Sequence, residues 1–150
     1  MERKLKVLFL CTGNQARSQM AEAILRIGGG GRFDARSAGS KPESAVHPLA
    51  ARALAEIGID ISGAVPKNMT TLAGERFDYV ITLCDDARDA CPVFPGHPVS
   101  DHWSLPDPAA AEGSGQERLD AFRHVRDEIG MRIARFVAQP SPADDSTHRS

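Results

Sequence analysis

The sequence is poor in cysteine, in aromatic residues and in unbroken hydrophobic runs. Its 150 residues include three cysteines, one tryptophan, one tyrosine and six phenylalanines. No apolar stretch approaches the length needed to cross a bilayer, and residues 1–6 pass into a short apolar run without a signal-peptide cleavage pattern. We therefore expect a soluble, cytoplasmic protein with no membrane partner.

Charge of one sign is not concentrated anywhere along the chain. The net charge is -2, and the Lys and Arg residues are scattered among Asp and Glu. A nucleic-acid partner would require a dense basic surface that neutralises phosphates. Because no such stretch exists, the sequence argues against binding to nucleic acid.

The number of cysteines limits the roles that these residues can have. Three cysteines are an odd number in a reducing compartment, which argues against a structural disulfide framework and for metal binding, redox chemistry or nucleophilic use. The five histidines show no metal-ligand spacing with one another or with the cysteines. We therefore expect no metal and no bound cofactor.

Strand-like and helix-like stretches alternate along the chain. Short strands are predicted at 7–10, 33–37, 79–83 and 99–103. Apolar residues recur at the spacing of a helix in 20–27, 48–57 and 117–137. This order predicts one doubly wound α/β domain over residues 1–139, with its active site at the carboxyl ends of parallel strands. The segment 140–150, rich in Pro, Ser and Asp, is predicted to be a disordered tail.

A cysteine and an arginine bracket the tight loop between the first strand and the first helix. Five residues separate Cys11 from Arg17, and Ser18 follows. A loop that curls into a helix N-terminus points its free N–H groups at one centre, where a tetrahedral oxyanion can bind. Arg17 adds a bidentate fork. The predicted oxyanion-binding residues are Thr12, Gly13, Asn14, Gln15, Ala16 and Arg17.

The same environment predicts a thiolate at Cys11. Helix-end dipoles and the Arg17 guanidinium stabilise a thiolate over a thiol, so we expect the pKa of Cys11 to be lowered. Ser18 could donate a hydrogen bond to the sulfur. The alternative is that Cys11 is a small buried apolar residue, Arg17 a surface charge and Gly13 an ordinary turn residue.

A longer pattern surrounds this loop. Residues 7–22 have the sequence VLFLCTGNQARSQMAE, and further matches are RSAG at 36–39, GIDIS at 58–62, TLCDD at 82–86, Cys91-Pro92, His102-Trp103 and Asp107-Pro108. Together they resemble the low-molecular-weight protein tyrosine phosphatase superfamily, and specifically its thioredoxin-coupled arsenate reductase branch, to which the SQMAE continuation points. The resemblance extends from about residue 6 to residue 136.

The resemblance implies a four-stranded parallel sheet flanked by helices, with Cys11 as nucleophile, Arg17 as oxyanion clamp and Asp107 as general acid. It further implies that arsenate is reduced to arsenite and that Cys84 and Cys91 pass the oxidising equivalents to thioredoxin, or to another dithiol or low-molecular-weight thiol. We expect a monomer. The candidate catalytic residues are Cys11, Arg17, Ser18, Cys84, Cys91 and Asp107.

The assignment of Asp107 as the general acid has alternatives. Asp107 lies between Pro106 and Pro108, which stiffen the backbone around its carboxyl group. Asp-Pro is also a common turn sequence, so Asp107 could be a turn residue without a catalytic role. The substitutes considered for the acid are Asp85, Asp86 and Asp101.

The residues after the predicted acid indicate the class of substrate. The phosphatase branch typically continues Asp-Pro with an aromatic residue that helps to hold a phosphotyrosine ring, whereas this chain has Ala109. Aromatic residues are scarce, and Tyr79 lies in a predicted core strand. A small inorganic anion such as arsenate therefore fits better. The alternatives are a phosphatase acting on phosphotyrosine or another phosphomonoester, and an oxyanion-binding or redox-sensing module without turnover.

The spacing of Cys84 and Cys91 predicts a conformational change. If the stretch between them is helical, a rise of about 1.5 Å per residue separates the two Cα atoms by roughly 10 Å. A disulfide tolerates no more than about 7 Å. Oxidation would then require this segment to unwind. The alternative is that Cys84 is a core residue and Cys91 an incidental thiol.

Reductases of the resembled branch can hold a potassium ion beneath the loop. Asn14, Glu22 and Ser37 match three of its usual ligands, and Lys67 stands where an acidic fourth ligand would be. The Lys67 ammonium could occupy the place of the cation, so we predict no metal there.

Overall fold

The computed structural model describes residues 3–139, which contain four parallel strands. The strands are β1 (Leu5–Cys11), β2 (Phe33–Gly39), β3 (Tyr79–Thr82) and β4 (Val99–His102), and their spatial order is β2-β1-β3-β4. Every neighbouring pair is parallel. The predicted α/β fold with a four-stranded parallel sheet is confirmed. The predicted disordered tail, 140–150, lies outside the described residues.

Within the described residues, four α-helices flank the sheet: α1 (Arg17–Gly28), α2 (Pro48–Ala55), α3 (Asp85–Ala90) and α4 (Gly115–Ala138). Helix α4 begins earlier than its apolar periodicity indicates, because Ser114 and Glu117 form a reciprocal capping box there. Helix α2 ends at Ala55, so Ile57 lies in the turn after the helix and is exposed. Two 3-10 turns, Met69–Leu72 and Pro108–Ala110, complete the described elements.

Strand β1 is buried on both faces, which explains its continuous apolar sequence. Side chains alternate between the two faces of a strand. Val7, Phe9 and Cys11 face a core that includes residues of α1 and α4. Leu8 and Leu10 face a second, smaller core. The buried partners of that second core are Ala38, Met69, Phe77, Val80, Ala87 and Phe94.

One helical position departs from the predicted pattern. Ile27, which recurs at the helical spacing of α1, is 63% exposed. The last turn of α1 borders an open cavity at this point, and Ile27 lines it. The buried anchor of this part of the helix is Leu25.

The sheet order brings the loops after β1 and β3 together. Strand β1 pairs with β2 on one side and with β3 on the other, so the connection after β1 runs to one side of it and the connection after β2 crosses to its other side. Ligands of open α/β sheets bind at such a switch point, beyond the carboxyl ends of the strands. The Leu83 N–H donates to the Leu10 carbonyl at 2.8 Å, which places Cys84 next to the loop that begins at Cys11.

Candidate active site

A cavity of about 90 Å³ lies at the carboxyl end of β1. Its lining residues are Cys11, Thr12, Gly13, Gln15, Ala16, Arg17, Glu43 and Asp107. None of them is aromatic. Pockets for drug-sized ligands span about 300–1,000 Å³, so this cavity suits a small ion. Asn14, predicted among the oxyanion donors, is fully buried and is not one of the lining residues.

The loop after β1 is anchored by the segment that comes after β2. The N–H groups of Ser40, Lys41, Glu43 and His47 donate to the carbonyls of Cys11, Thr12, Gly13 and Gln15 at 2.9–3.1 Å. The carbonyl and N–H groups of a trans peptide point in opposite directions. We infer that this anchoring turns loop N–H groups away from residues 40–47. Gly39 permits the close approach, because a Cβ there would collide with the Thr12 carbonyl oxygen.

Buried side chains beneath the loop orient Ser18 toward the Cys11 sulfur. Asn14 has a φ of 50°, a left-handed conformation in which Asn is enriched. Its amide donates to Ser18 Oγ at 2.7 Å, which leaves the Ser18 hydroxyl hydrogen free for Cys11 Sγ, 2.8 Å away. Gln19 Nε2 donates to Asn14 Oδ1 at 3.1 Å and so fixes the amide. Gln19 is a supporting residue that the sequence-based interpretation missed.

Burial opposes ionisation of the Cys11 thiol. Burial raises the pKa of Cys11, because a thiolate loses its hydration there. Hydrogen bonds from Ser18 and the charge of Arg17 act in the opposite direction but do not reverse the shift. The predicted lowering of the pKa is therefore wrong for this conformation. The prediction counted the positive groups around the sulfur and neglected the cost of burying the charge.

Arg17 and Asp107 approach the cavity from different elements. Arg17 begins α1, and its guanidinium is buried and donates to the Leu105 carbonyl at 3.1 Å. Leu105 belongs to the loop that carries Asp107. The Asp107 side chain is exposed, and its Oδ1 accepts from the Ala109 N–H at 3.0 Å. The alternative acids Asp85, Asp86 and Asp101 are not among the lining residues.

Glu43 is a cavity residue that the sequence-based interpretation missed. A Cβ on Gly13 would lie 3.0 Å from Glu43 Cγ, so the glutamate stem packs over the glycine. A carboxylate repels a fully ionised oxyanion but accepts a hydrogen bond from a protonated one. No motif or periodicity marks Glu43, because its position depends on the docking of residues 40–47 on the loop.

Cys84 and Cys91 flank the short helix α3. Cys84 directly precedes Asp85, and Cys91 directly follows Ala90. Both are partly buried free thiols. The Cys84 sulfur lies 3.2 Å from Thr12 Oγ1, so it contacts the residue after Cys11. The segment between the two cysteines is therefore helical, which is the condition that the sequence analysis set for a conformational change. The structure also brings Cys84 to the oxyanion loop.

The positions matched to a potassium site are engaged with protein groups. The Ser37 hydroxyl donates to Glu22 Oε1 at 2.7 Å, and Arg26 pairs with Glu22 Oε2 at 3.0 Å. Asn14 Oδ1 accepts from the Lys67 N–H at 2.8 Å, while the Lys67 ammonium contacts a backbone carbonyl two residues earlier. The cation beside Glu22 is thus Arg26, and the Lys67 ammonium, which could have taken the place of a potassium ion, does not contact Glu22. In this arrangement the carboxylate of Glu22 and the amide oxygen of Asn14 are engaged by protein donors.

Two absences concern the described part of the chain. Within residues 3–139, no three His, Cys, Asp or Glu side chains cluster in a way that could hold a metal ion. No helix in the same range combines the length and apolarity of a bilayer span.

Known proteins resemble this chain over most of its length. An arsenate reductase of Shouchella clausii (strain KSM-K16) is 43% identical over 137 residues, which are 91% of this chain and 97% of the relative. The solved structure of an arsenate reductase in the phosphate binding state aligns with a TM-score of 0.72 and 32% identity, covering 89% of this chain and 97% of that one. A thioredoxin-dependent arsenate reductase of Corynebacterium glutamicum aligns with a TM-score of 0.62 and 36% identity, covering 89% of this chain and 63% of that one.

The family assignment agrees with the site. Residues 6–141 match the family described as low molecular weight phosphotyrosine protein phosphatase. The resemblance identified from residues 7–22 and the later motifs is confirmed by this match and by the relatives. The chain belongs to the low molecular weight phosphotyrosine protein phosphatase family.

Proposed function

We propose that this chain is a cytoplasmic, monomeric arsenate reductase that converts arsenate to arsenite and is returned to its reduced form by thioredoxin. The proposal rests above all on the 3.2 Å contact between Cys84 Sγ and Thr12 Oγ1, because it gives the oxyanion loop a second thiol. The small cavity without aromatic residues supports an inorganic anion as the substrate. The reductases among its relatives support the same reaction.

The first step forms a sulfur–arsenic bond. The Cys11 thiolate attacks arsenic while Arg17 and the loop N–H groups hold the remaining oxygens. One arsenic–oxygen bond breaks, and Asp107 donates the proton with which that oxygen leaves as water. The Ser18 hydrogen bond stabilises Cys11 as a thiolate before the attack. It thereby offsets part of the cost of burial.

The second step transfers two electrons. Cys84 attacks the Cys11 sulfur, the sulfur–arsenic bond breaks, and its electron pair reduces arsenic from the +5 to the +3 state, which leaves as arsenite. A disulfide between Cys11 and Cys84 results. Cys91 then attacks Cys84 and releases the Cys11 thiolate. The dithiol of thioredoxin reduces the final Cys84–Cys91 disulfide.

The family match favours a second candidate, hydrolysis of a phosphomonoester. The same thiol, guanidinium and carboxylate would serve phosphoryl transfer to Cys11 followed by attack of water. The lack of aromatic residues in the cavity disfavours phosphotyrosine, which leaves small phosphomonoesters as substrates. Cys84 and Cys91 have no part in such a reaction.

A coupled assay separates the two activities. With thioredoxin and thioredoxin reductase, we expect arsenate to stimulate consumption of NADPH, and Cys84→Ser and Cys91→Ser to abolish sustained turnover. Cys11→Ser serves as the inactive control. Hydrolysis of a phosphomonoester by wild-type protein and by Cys84→Ser alike, with no NADPH consumption on addition of arsenate, would contradict reduction and favour the phosphatase.

A further inference from the structure

His102 connects three elements at the start of helix α3. Its Nε2 lies 3.1 Å from Oδ1 of Asp85, the first residue of α3. Its Nδ1 lies 2.7 Å from Oγ1 of Thr82, the last residue of β3. His102 itself ends β4. The imidazole is 22% exposed and the Asp85 side chain 70%, so the contact runs from the sheet to the surface.

The chemistry of these partners fixes the direction of the hydrogen bonds. An ionised Asp85 carboxylate can only accept, so Nε2 of His102 carries a hydrogen. In the neutral ring, Nδ1 then accepts from the Thr82 hydroxyl. Because Thr82 is buried at 5% exposure, it holds the ring in place from the sheet side. Thr82 therefore orients His102, and His102 holds Asp85.

Helix α3 has few other contacts with the rest of the protein. Only Ala87 among its six residues is buried. The ion pairs of Arg88 are with Asp85 and Asp89, both in the same helix. Asp86 accepts a hydrogen bond from Ser40 at 2.8 Å. A helix this short is not stable without tertiary contacts, so α3 is kept in place by the buried Ala87 together with the hydrogen bonds of Asp85 and Asp86.

A groove of about 330 Å³ separates α3 from β4. Arg88 and Cys91 line one side of it, and Ser100, Asp101 and His102 line the other. The helix therefore does not pack tightly against the edge strand. His102 spans this gap at the helix N-terminus, beside Cys84, whereas Cys91 faces the open groove.

We propose that His102 is a positioning residue that holds α3 in its helical, dithiol form and so makes the Cys84–Cys91 disulfide easier to reduce. This inference rests on the proposed relay. Forming that disulfide requires α3 to unwind, since the helix separates the two Cα atoms by roughly 10 Å. A contact that exists only in the helical form stabilises the dithiol relative to the disulfide.

A thiol–disulfide equilibrium measures this effect without any turnover. In a Cys11→Ser background, Cys84 and Cys91 are the two remaining thiols, and one glutathione disulfide oxidises them to the protein disulfide with release of two glutathione molecules. The protein is equilibrated over a series of glutathione ratios, quenched with acid and alkylated. Mass spectrometry then gives the fraction oxidised.

Substitutions of His102 distinguish loss of its hydrogen bond to Asp85 from a general disturbance of the structure. His102→Phe keeps a ring of similar size without nitrogen donors, and we expect it to shift the constant about tenfold toward the disulfide, or about 30 mV for two electrons. His102→Gln retains a donor and should stay within about twofold of the Cys11→Ser parent. Asp89→Asn, on the same helix but without contact to His102, is the control.

A double variant tests whether His102 acts through Asp85. In an Asp85→Ala background, His102→Phe should cause no further shift, because its partner is gone. An independent loosening of the fold would give the same shift in both backgrounds and would overturn the inference. Equal constants for the Cys11→Ser parent and its His102→Phe variant would also overturn it while leaving the relay intact. If Cys84 and Cys91 formed no disulfide at any glutathione ratio, the relay itself would be wrong.

Discussion

Ser18 Oγ lies 2.8 Å from Cys11 Sγ while accepting a hydrogen bond from the Asn14 amide. The Asn14 contact decides the polarity of the pair, because it leaves the serine hydrogen available to the sulfur. This bond stabilises a thiolate at a position where burial raises the pKa of Cys11. In the proposed reaction, activation of Cys11 therefore depends on a particular hydroxyl and not only on the positive end of α1.

Removing that hydroxyl should raise the pKa of Cys11 further. For Ser18→Ala we expect an increase of about one to two units, since a hydrogen bond to a charged group is worth about 1.5–3 kcal/mol and one unit is about 1.4 kcal/mol. The rate of alkylation by iodoacetamide as a function of pH measures it. Ser37→Ala, which removes a buried hydroxyl that contacts Glu22 instead, should leave the profile unchanged. Identical profiles for Ser18→Ala and wild type would refute the assigned role of Ser18.

Asp107→Asn should slow the first chemical step and preserve anion binding. An amide cannot supply the carboxylic proton, and loss of a general acid costs about 10²–10⁴ in rate. Asn retains the oxygen that accepts from the Ala109 N–H, so the 3-10 turn should keep its cap. Rapid-quench measurement of the Cys11 adduct gives the rate, and protection of Cys11 by phosphate gives the affinity. An unchanged rate of adduct formation would assign the proton to another group.

Glu43→Gln should strengthen the binding of fully ionised anions. Removing a negative charge from the cavity relieves repulsion, and we expect sulfate to protect Cys11 from alkylation at concentrations about three- to tenfold lower. Phosphate, which can present a hydroxyl to the carboxylate, should gain less. Glu112→Gln, an exposed carboxylate that is not a lining residue, is the matched control. The same sulfate affinity in Glu43→Gln and wild type would show that Glu43 does not act on the anion.

Glu56 links α2 to α4 in a pH-dependent way. Hydrogen bonds from Arg123, supported by Arg126, lower the pKa of Glu56 from its ordinary 4.5 to about 2. A pKa that is lower in the folded state stabilises the fold above the unfolded value and loses this contribution as the pH falls toward 2. The difference in melting temperature between wild type and Glu56→Gln should therefore shrink from pH 7 to pH 2.5. A melting-temperature difference that stays constant with pH would contradict this role of Glu56. The control is Glu128→Gln, which removes an exposed ion pair with Arg132.

The fold could be predicted from local patterns, because the continuous apolar run of β1 and the helical apolar spacing of α4 match their burial. The loop from Cys11 to Ser18 was likewise visible as a contiguous motif. The contact between Cys84 and Thr12 was not, since it depends on the pairing of β1 with β3, which no local pattern encodes. Sequence order alone gives Cys84 no relation to the loop.

Two inferences from charge needed revision for a common physical reason. The lowered pKa of Cys11 and the possible placement of the Lys67 ammonium at a cation position were both inferred from charges without their burial or direction. Burial dominates the first. In the second, the i,i+4 geometry of α1 brings Arg26 to Glu22, while the Lys67 ammonium contacts the Val65 carbonyl. Such effects become visible only when the three-dimensional surroundings of a charge are known.

Arsenate treatment of Cys91→Ser tests the thiol relay most directly. Without Cys91 the enzyme should complete one turnover, release one equivalent of arsenite and stop with Cys11 joined to Cys84, a species that mass spectrometry of the non-reduced protein identifies by peptide mapping. Cys84→Ser should form no such disulfide and release no arsenite. If Cys91→Ser instead turned over repeatedly with Cys11 and Cys84 both free, the proposed relay would be wrong.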